Sequence, residues 1–556
     1  MSGNENTASG YLALFSNTTG SANTAFGYHA LYSNIGGLYN TASGFQALYS
    51  NTSGAVNTAS GFQSLRFNTV GVSNSASGFQ ALYANTTASQ NVAMGNSALF
   101  TQSFGNGGVA WNSNNVALGF EALFSNQPTS ISSGYRNTGL GTQAMRSNTT
   151  GQENTAIGNQ ALYSNTTGTD NTADGNQALF ANTTGDLNTA SGDQALFSNT
   201  TGSSNTANGL QALAYNTTAS RNVALGNSAL STQSFSNGGV AWNSDNVAVG
   251  FEALYSNEPT ATFEGNSNTA LGTQAMRANT TGFFNTATGV RALNANTTGV
   301  RNTATGYRAL FSNQGGSDNA ATGTGALSNN TTGNENTAFG GSALSFNNMG
   351  NANTAIGRLA LGSNTTGSNN TAIGAGANVS TGNLTNATAI GFFATVTASN
   401  TIVLGDGNIT ALRCNATLTG LSDRTKKENF LPVDGADVLR KIRGFELTSW
   451  NFIGQDPKTF RHYGPMAQDF YAAFGHDAVG TFATPTTINS GDLSGILMSA
   501  VQALAHENAA LKEQLAGRDA RDRERDARIA RLERMVPAGR TTAQKASLKT
   551  ASLNSK

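Results

Sequence analysis

Small and apolar residues recur along most of the chain at a fixed spacing. The repeating unit reads N-T-A-x-G-x-x-A-L-x-x-N-T-T-G-x-x, and its first glycine falls at positions 10, 27, 44, 61, 78 and 95. The interval between these glycines lengthens before Gly119 and Gly141, and again before Gly250 and Gly272. The last unit is shorter and reaches Gly405, which makes 23 units. Such self-similarity predicts a repeat architecture.

The period predicts the kind of repeat. The seventeen positions of one unit are too few for a helix pair, a propeller blade or a leucine-rich unit, and they suit one coil of a β-solenoid with two short strands and two turns. Alternation in N-V-A-L-G and N-T-A-I-G sends successive side chains to opposite faces. Asn-Thr-Thr-Gly marks a turn, because Asn and Gly tolerate the left-handed backbone region. We therefore predict an all-β solenoid over residues 1–415, on the order of 110 Å long at one strand spacing per coil.

One column of the repeat is nearly invariant. The residue two before each glycine is alanine in 21 of the 23 units, the exceptions being Gly139 and Val403. A column that admits almost only alanine is crowded, so it faces either a narrow coil interior or a packed symmetry axis. Alanine and a few larger apolar residues per coil make a weak core for one chain. We therefore expect three chains to pack side by side in a closed cyclic trimer.

The repeats resemble a known family. N-T-A-I-G, N-V-A-L-G and the closing NATAIGFFATVTASNTIVLGDGN are similar to the head repeats of trimeric autotransporter adhesins. That resemblance implies a trimeric, left-handed parallel β-roll. This chain departs from the family by an expansion of three residues, N-T-T-G, at most turns.

The two irregular passages are near copies of each other. NSALFTQSFGNGGVAWNSNNVALG begins at Asn96 and NSALSTQSFSNGGVAWNSDNVAVG begins at Asn227, which indicates duplication of a whole block. Each contains one tryptophan, Trp111 or Trp242. The tryptophans either cap a widened coil or form exposed platforms on which a glycan or another surface ligand stacks.

Several polar motifs in the repeats have a structural interpretation. The N-T-T and N-T-S triplets match glycosylation sites, but their strict period favours turns and stacked, hydrogen-bonded columns of Asn and Thr. A regular threonine face would also suit ice binding, and we regard turn and ladder formation as the better explanation. Acidic residues are too sparse for a repeated calcium site, the four histidines are scattered, and no phosphate-binding motif occurs. We expect no metal and no cofactor.

Charge divides the chain into two parts. The whole chain has 30 basic and 30 acidic residues, so net charge indicates neither a nucleic-acid partner nor a membrane surface. Residues 1–421 carry only 24 of these charges and no lysine, whereas residues 422–556 carry 36. A single cysteine, Cys414, excludes an intrachain disulfide. We expect no membrane helix and no secretory signal, and an anchor supplied by a longer natural chain or by another protein.

The C-terminal part predicts a small α+β domain that leads into a long helix. Two columns with heptad spacing, offset by four positions, form a seam in which Asn508 is placed to fix the register. Three charged residues weaken its middle, and a single solvated helix is the alternative. The seam consists of Leu497, Val501, Leu504, Asn508, Leu511, Leu515, Arg518, Asp522, Arg525, Ile529, Leu532 and Val536. We assign the α+β domain to residues 420–516, the coiled-coil helix to 493–536 and a disordered tail to 537–556.

The motifs of this part resemble a second family. SDRTKKENF, RHYGPMAQD and the terminal helix are similar to the intramolecular chaperone domain of phage tail fibres and endosialidase tailspikes. The resemblance covers residues 420–516 and implies a domain that assembles the trimer, folds the shaft and then cuts itself off. It implies that Ser422 is the nucleophile, Lys427 the general base and Leu421–Ser422 the cleaved bond. Thr425 and Lys426 depart from the Arg and aliphatic residue of many relatives.

The residue types suit this chemistry. A serine hydroxyl attacks a carbonyl when a base removes its proton, and a serine–lysine pair is a known form of this arrangement. The lysine must be uncharged, which burial or a neighbouring cation such as Lys426 or Arg424 favours. His462 either orients the site or has a structural role. The alternative for the pair itself is that Ser422 caps a turn and Lys427 is solvated.

These observations predict a homotrimeric tail fibre that binds a host-cell surface glycan or another receptor. In this interpretation the protein is part of a virion, inserts in no membrane and catalyses one cleavage of its own chain. The alternative is a bacterial surface adhesin that uses the same chaperone domain, with or without cleavage. A polysaccharide-degrading enzyme is disfavoured because no pair of carboxylates lies in a catalytic insertion.

Overall fold

The chain divides into two compact units, Met1–Ile409 and Thr410–Lys556. The computed structural model describes residues 3–409, 412, 422–453, 456–459 and 461–535. Cys414, Leu421, Val536 and the predicted tail at 537–556 lie outside the described residues. The first unit is a parallel β-solenoid, and the second contains a small sheet and a long C-terminal helix. The fold predicted from the repeat is therefore confirmed.

Each coil of the first unit contributes one three-residue strand to a single sheet of 23 parallel strands. Strands of successive coils pair in register, so that Thr24 lies beside Thr41 and Ala25 beside Ala42. The strands are Thr7–Ser9, Thr24–Phe26, Thr41–Ser43, Thr58–Ser60, Ser75–Ser77, Val92–Met94, Val116–Leu118, Thr138–Leu140, Thr155–Ile157, Thr172–Asp174, Thr189–Ser191, Thr206–Asn208, Val223–Leu225, Val247–Val249, Thr269–Leu271, Thr286–Thr288, Thr303–Thr305, Ala320–Thr322, Thr337–Phe339, Thr354–Ile356, Thr371–Ile373, Thr388–Ile390 and Ile402–Leu404.

The expectation of two strands in every coil is wrong. After the glycine the chain winds through tight turns in which alternate residues, such as Gln46 and Leu48, have φ values of 54° and 50°. Left-handed residues at every second position cannot form an extended strand. A second short strand occurs only in a few coils of the described solenoid. These pairs are Ala88–Ser89 with Trp111–Asn112, Ala219–Ser220 with Trp242–Asn243, and Asn378–Val379 with Thr395–Val396.

Two constraints require glycine at the last position of N-T-A-x-G. They are its backbone conformation and its close contact with the next coil. Gly158 has a φ of 130°, a region that residues with a Cβ rarely adopt. A Cβ at Gly158 would also lie 2.4 Å from the carbonyl oxygen of Gly175 in the next coil. The coils are therefore stacked so closely at this corner that only glycine fits.

The alanine column faces the interior of the single coil. Of the two locations that the sequence allowed, the coil interior and a packed symmetry axis, the structure shows the first. Ala25 in the strand, and Ala30 and Leu31 in the following turn, have no exposed surface. The same three positions are buried in coil after coil and form one continuous core along the unit. The strand position therefore faces a narrow interior, which explains why alanine occupies it in almost every coil.

Buried asparagines form the rest of the interior. In a typical coil Asn34, from N-T-T-G or its variant, and Asn40, from N-T-A, are both fully buried. Asn34 Nδ2 donates to Asn17 Oδ1 of the preceding coil at 2.8 Å. Asn40 Nδ2 donates to Asn23 Oδ1 at 3.1 Å. Two asparagine ladders thus run along the unit, as the stacked-column interpretation of the triplets predicted for asparagine.

A backbone carbonyl completes each set of bonds. Gly37 O accepts hydrogen bonds from Asn23 Nδ2 at 2.8 Å and from Asn34 Nδ2 at 3.2 Å. Each of these two amide groups also donates to an asparagine of the preceding coil, so both of its hydrogens have acceptors. A buried polar group is costly when it has no hydrogen-bond partner, and these amide groups avoid that cost because both hydrogens are bonded.

In the irregular coils a longer side chain takes the place of the ladder asparagine. Gln102 is fully buried in the first insertion, where its Oε1 accepts from Asn115 Nδ2 at 3.0 Å and from Asn126 Nδ2 at 3.2 Å. Its Nε2 donates to Ser113 Oγ at 2.8 Å. Gln233 makes the corresponding bonds in the second insertion. Glutamine reaches across the widened coil where asparagine would be too short.

Aromatic rings form a further ladder on the surface of the first coils. The rings of Tyr28, Phe45, Phe62 and Phe79 stack at centroid distances of 5.0–5.2 Å. Each stacked pair contributes about 0.5–1.5 kcal/mol beyond the area it buries. Because each ring covers part of the next, this ladder stabilises the packing of one coil on another.

The second unit has a small core of its own. Its helices are α1 (Gly435–Arg443), α2 (Ala467–Phe474) and α3 (Ser490–Arg534), and a hairpin pairs Thr448–Trp450 with His462–Gly464. The buried core side chains are Val438, Leu439, Phe470, Phe474 and Ala500. Asp434 caps α1 and Asn489 caps α3, each accepting from backbone N–H groups of the first turn. Helix α3 extends 45 residues, most of them exposed.

Removal of one ladder side chain should destabilise the solenoid. Asn165 is bonded to Asn148, Gly168 and Asn182, so Asn165→Ala leaves buried donors and acceptors without partners. We expect a loss on the order of 2 kcal/mol in the free energy of unfolding, measured by chemical denaturation. Asn159→Ala removes an exposed asparagine of the same repeat and is the matched control. Equal stability of the two variants would contradict the ladder's role.

The insertions also predict a dependence of stability on pH. Arg146 Nε donates to Glu121 Oε2 at 2.6 Å, and this bond holds the pKa of Glu121 below its ordinary value of 4.5. A depressed pKa stabilises the fold above the unfolded value, and the contribution is lost as pH falls through the folded value. We therefore expect Glu121→Gln to lower the free energy of unfolding by about 1 kcal/mol at pH 7 and by less at pH 3.

The control for this prediction is Glu153→Gln. Glu153 forms a more exposed ion pair with Arg136, so its substitution should have little effect at either pH. Chemical denaturation at the two pH values measures the differences. A constant difference between the Glu121→Gln variant and wild type at both pH values would contradict the assignment.

Candidate active site

The segment that begins at Ser422 forms a tight turn. Arg424–Lys426 is a single turn of 3-10 helix, capped by Asp423. Asp423 Oδ1 accepts from Thr425 N at 2.9 Å, and Thr425 Oγ1 donates to Asp423 Oδ2 at 2.9 Å. The backbone N–H of Lys427 donates to Arg424 O at 3.3 Å. The chain thus turns back on itself between Ser422 and Lys427.

The turn brings the two predicted catalytic residues together. Lys427 Nζ donates a hydrogen bond to Ser422 Oγ at 2.8 Å, which is the distance needed for proton transfer between them. Both side chains are exposed in the single chain. The spacing that singled out this serine and lysine therefore corresponds to a direct contact.

Two charged side chains beside this pair, Asp423 and Arg424, have partners within the turn or near it. Hydrogen bonds from the Thr425 backbone N–H and from its hydroxyl lower the pKa of Asp423 below its ordinary value of 3.8. A carboxylate therefore lies in the chain directly beside the serine. The Arg424 guanidinium lies over the ring of Phe430 at 5.2 Å from its centroid. Lys426 is exposed, and its backbone N–H donates to Asp423 O at 3.2 Å.

His462 occupies the hairpin. Its ring stacks on Trp450, with the centroids 4.6 Å apart, and lies edge-on to Phe452 at 5.5 Å. Its Nε2 is buried and has no hydrogen-bond partner in the described part of the chain. Among the described residues, no hydrogen bond or ring contact joins His462 to Ser422 or Lys427. Both roles of His462, orienting and structural, stay predictions.

Leu421, the other residue of the predicted cleavage site, lies outside the described residues. Only the serine side of the Leu421–Ser422 bond is therefore described. The prediction that this bond is cleaved depends on the contact that Ser422 makes.

The tryptophans of the insertions lack the exposed ring face that a ligand platform needs. Trp111 and Trp242 are each 7% exposed. Their rings pack edge to face against Phe104 and Phe235, both at 5.8 Å. The widened coil covers the indole, because the inserted residues supply a second short strand and an aromatic partner. This arrangement agrees with the interpretation of a coil cap.

The bonds between Asp423 and Thr425 were not predicted from the sequence. An aspartate two residues before a threonine, at the start of a turn, is a recognisable signal for this geometry, because Asp side chains accept from the backbone two residues on. From the motif SDRTKKENF we identified Thr425 only as a departure from the pattern of the resembling family, and we predicted no hydrogen bond for it.

Comparison with known families agrees with the assignment of the C-terminal part. The model of the family described as "Chaperone of endosialidase" (Peptidase_S74) matches residues 422–479. The match begins at Ser422 and includes Lys427 and His462. A comparison with curated proteins found no match.

The described residues offer neither a membrane span nor a metal site. No described helix combines the length and the apolar character needed to cross a bilayer. Within the described ranges, no group of three or more His, Cys, Asp or Glu side chains is arranged to hold a metal ion.

The family match and the fold together indicate a class of protein. A chaperone-of-endosialidase domain that follows a β-solenoid fits a tail-fibre-like protein. The chaperone domain predicted from the motifs is thereby supported. The resemblance of the solenoid to adhesin head repeats stays a prediction.

Proposed function

We propose that the protein is a homotrimeric fibre whose C-terminal domain aligns and folds the three chains and then releases itself by cutting Leu421–Ser422. The observation that carries the proposal is the 2.8 Å contact between Lys427 Nζ and Ser422 Oγ, at the first residue of the family match. The remaining solenoid is the permanent product, and it presents its surface to a host-cell glycan or another receptor. The fibre belongs to a virion.

The cleavage has a defined course if Ser422 is the residue that follows the cut. Uncharged Lys427 accepts the proton of the hydroxyl, and Oγ attacks the carbonyl carbon of Leu421. The bond from that carbon to Ser422 N breaks, and the nitrogen takes the proton from Lys427. This shift leaves an ester between Leu421 and Ser422 Oγ. Water then hydrolyses the ester to a Leu421 carboxylate and restores the serine hydroxyl.

The contact supplies one requirement of this reaction. Ser422 Oγ is always near the carbonyl of the preceding residue, so no docking of a substrate is required. What the chain must add is a base in contact with the hydroxyl, and Lys427 is in that position. The reaction occurs once in each chain, so the protein is not a turnover enzyme.

Two apolar surfaces support a trimer. In the last five coils the outward residue of the strand is apolar in every case, and these side chains are 39–59% exposed: Phe339, Ile356, Ile373, Ile390 and Leu404. In α3 the heptad seam is also exposed, with Leu504 at 45% and Leu511 at 61%. Extended apolar stripes mark surfaces that bind another chain. Further copies of the same chain would cover both of them.

A trimer of repeats needs a device that sets its register. Regular coils are so similar that a chain displaced by one coil would find almost the same neighbours. A bundle of three α3 helices fixes the chain ends before the solenoids pair. Removal of the domain afterwards makes the fibre kinetically stable, because the element that starts folding is gone.

Cleavage can be tested by mass spectrometry of the expressed chain. We expect wild type to give one fragment that ends at Leu421 and another that begins at Ser422. Ser422→Ala and Lys427→Met should stay whole, whereas Lys426→Met, the neighbouring control, should be cut. Hydroxylamine should release a Leu421 hydroxamate, because it attacks esters more readily than amides. An uncut wild-type trimer would refute the autoproteolysis.

The trimer can be tested on the Ser422→Ala chain, which keeps its C-terminal domain. Light scattering should give three times the 57.1 kDa chain mass. Leu504→Asp with Leu511→Asp places charges in the seam and should abolish the trimer. Gln502→Asp with Ala509→Asp adds the same number of charges at exposed positions outside the seam and should preserve it. A monomeric Ser422→Ala chain, or a trimeric seam variant, would contradict the role of α3.

A further inference from the structure

We infer that Asp423 and Thr425 form a clamp that positions Lys427 against Ser422, and that Asp423 is therefore a positioning residue for self-cleavage. This inference rests on the proposed function and adds to it a residue pair outside the reacting atoms. Asp423 and Thr425 bond to each other, and they act on the path of the chain between the serine and the lysine.

The separation of the pair along the chain shows why a clamp is needed. In an extended chain, the Cα atoms of two residues five positions apart are separated by roughly 17 Å. A lysine and a serine side chain cannot bridge that separation to form the 2.8 Å contact between Lys427 Nζ and Ser422 Oγ. The backbone must therefore turn back between them. The single 3-10 turn at Arg424–Lys426 makes this reversal, and such a short turn has little stability of its own.

Packing does not hold this turn within the described chain. All residues from Ser422 to Asp434 are exposed. The ring contact that the turn makes, Arg424 over Phe430, involves the guanidinium and neither the serine nor the lysine. Local hydrogen bonds are thus the force that sets the Ser422–Lys427 distance.

The side-chain bonds of the clamp use both oxygens of Asp423. Oδ1 accepts from the Thr425 backbone N–H and Oδ2 accepts from the Thr425 hydroxyl, both at 2.9 Å. Bonds to a carboxylate are stronger than bonds between neutral groups. The Thr425 hydroxyl supplies the second donor. A side chain without a hydroxyl at this position would leave the carboxylate with only the backbone bond.

The test is a double-mutant cycle on self-cleavage in the full chain. The cleavage rate of the assembled trimer is measured for wild type, Asp423→Ala, Thr425→Val and the double variant. Each single variant should slow cleavage, Asp423→Ala on the order of tenfold, because a small displacement of a catalytic group has a large effect on rate. The double variant should be little slower than Asp423→Ala, because both changes remove the same contact.

Conservative variants separate positioning from a general effect on folding. Thr425→Ser keeps the hydroxyl and should restore most of the rate, whereas Asp423→Asn keeps only the acceptor for the backbone N–H and should restore part of it. All variants should assemble at the wild-type level. Unchanged rates in Asp423→Ala and Thr425→Val, strictly additive effects or loss of the trimer would each overturn the inference.

A second readout measures the contact between the two side chains and does not depend on whether cleavage occurs. In a Cys414→Ser background, Ser422→Cys places a thiol beside Lys427, which can take the thiol proton and then stabilises the reactive thiolate as a cation. Iodoacetamide should alkylate this thiol faster than in the same chain with Lys427→Ala. Adding Asp423→Ala should lower the rate toward that of Lys427→Ala. If wild type is never cut but this decrease occurs, the proposed function fails and the clamp stands; if Asp423→Ala leaves alkylation unchanged, the clamp is refuted.

Discussion

The solenoid depends on hydrogen bonds between buried asparagine side chains of successive coils. An amide group in an apolar interior is costly unless each of its polar atoms has a partner. Here the partners are the amide of the adjacent coil and a glycine carbonyl of the turn. This requirement constrains the spacing of the two asparagines within each unit. It also favours the addition of one coil to another, because the unpaired amide at the end of a ladder can form its inter-coil hydrogen bond only with a polar side chain of a further coil.

The same requirement explains the thin core. Alanine and leucine fill the rest of the interior, and each coil contributes only a few buried apolar side chains. A three-residue strand has little stability alone, so the coils are stable because many of them stack. The second unit has a different organisation, with a core of a few side chains and a long helix whose apolar seam is exposed. Repetition stabilises the first unit, whereas the second exposes an apolar surface that another chain could cover.

Much of this organisation could be predicted from the sequence, because a short and regular period constrains every coil at once. The alanine column and the Asn-Thr-Thr-Gly turn indicated the interior and one corner. The turn after the glycine was predicted wrongly, because Gln46 and Leu48 have ordinary side chains and nothing in their identity indicates a left-handed backbone. The contact of Ser422 with Lys427 was predicted from spacing within a motif. The bonds between Asp423 and Thr425 were not predicted, because they depend on the backbone path of a short turn. Sequence periodicity carries no information about that path.

The two insertions have a consequence for chains that lie side by side. Regular coils are nearly indistinguishable, but the coils that contain Gln102 and Gln233 are not, and they stand seven coils apart. A displacement by one coil sets widened coils against regular ones. A displacement by seven coils matches one insertion and leaves the other without a counterpart. In the proposed trimer the insertions would therefore act as alignment marks, because only the correct register satisfies both of them.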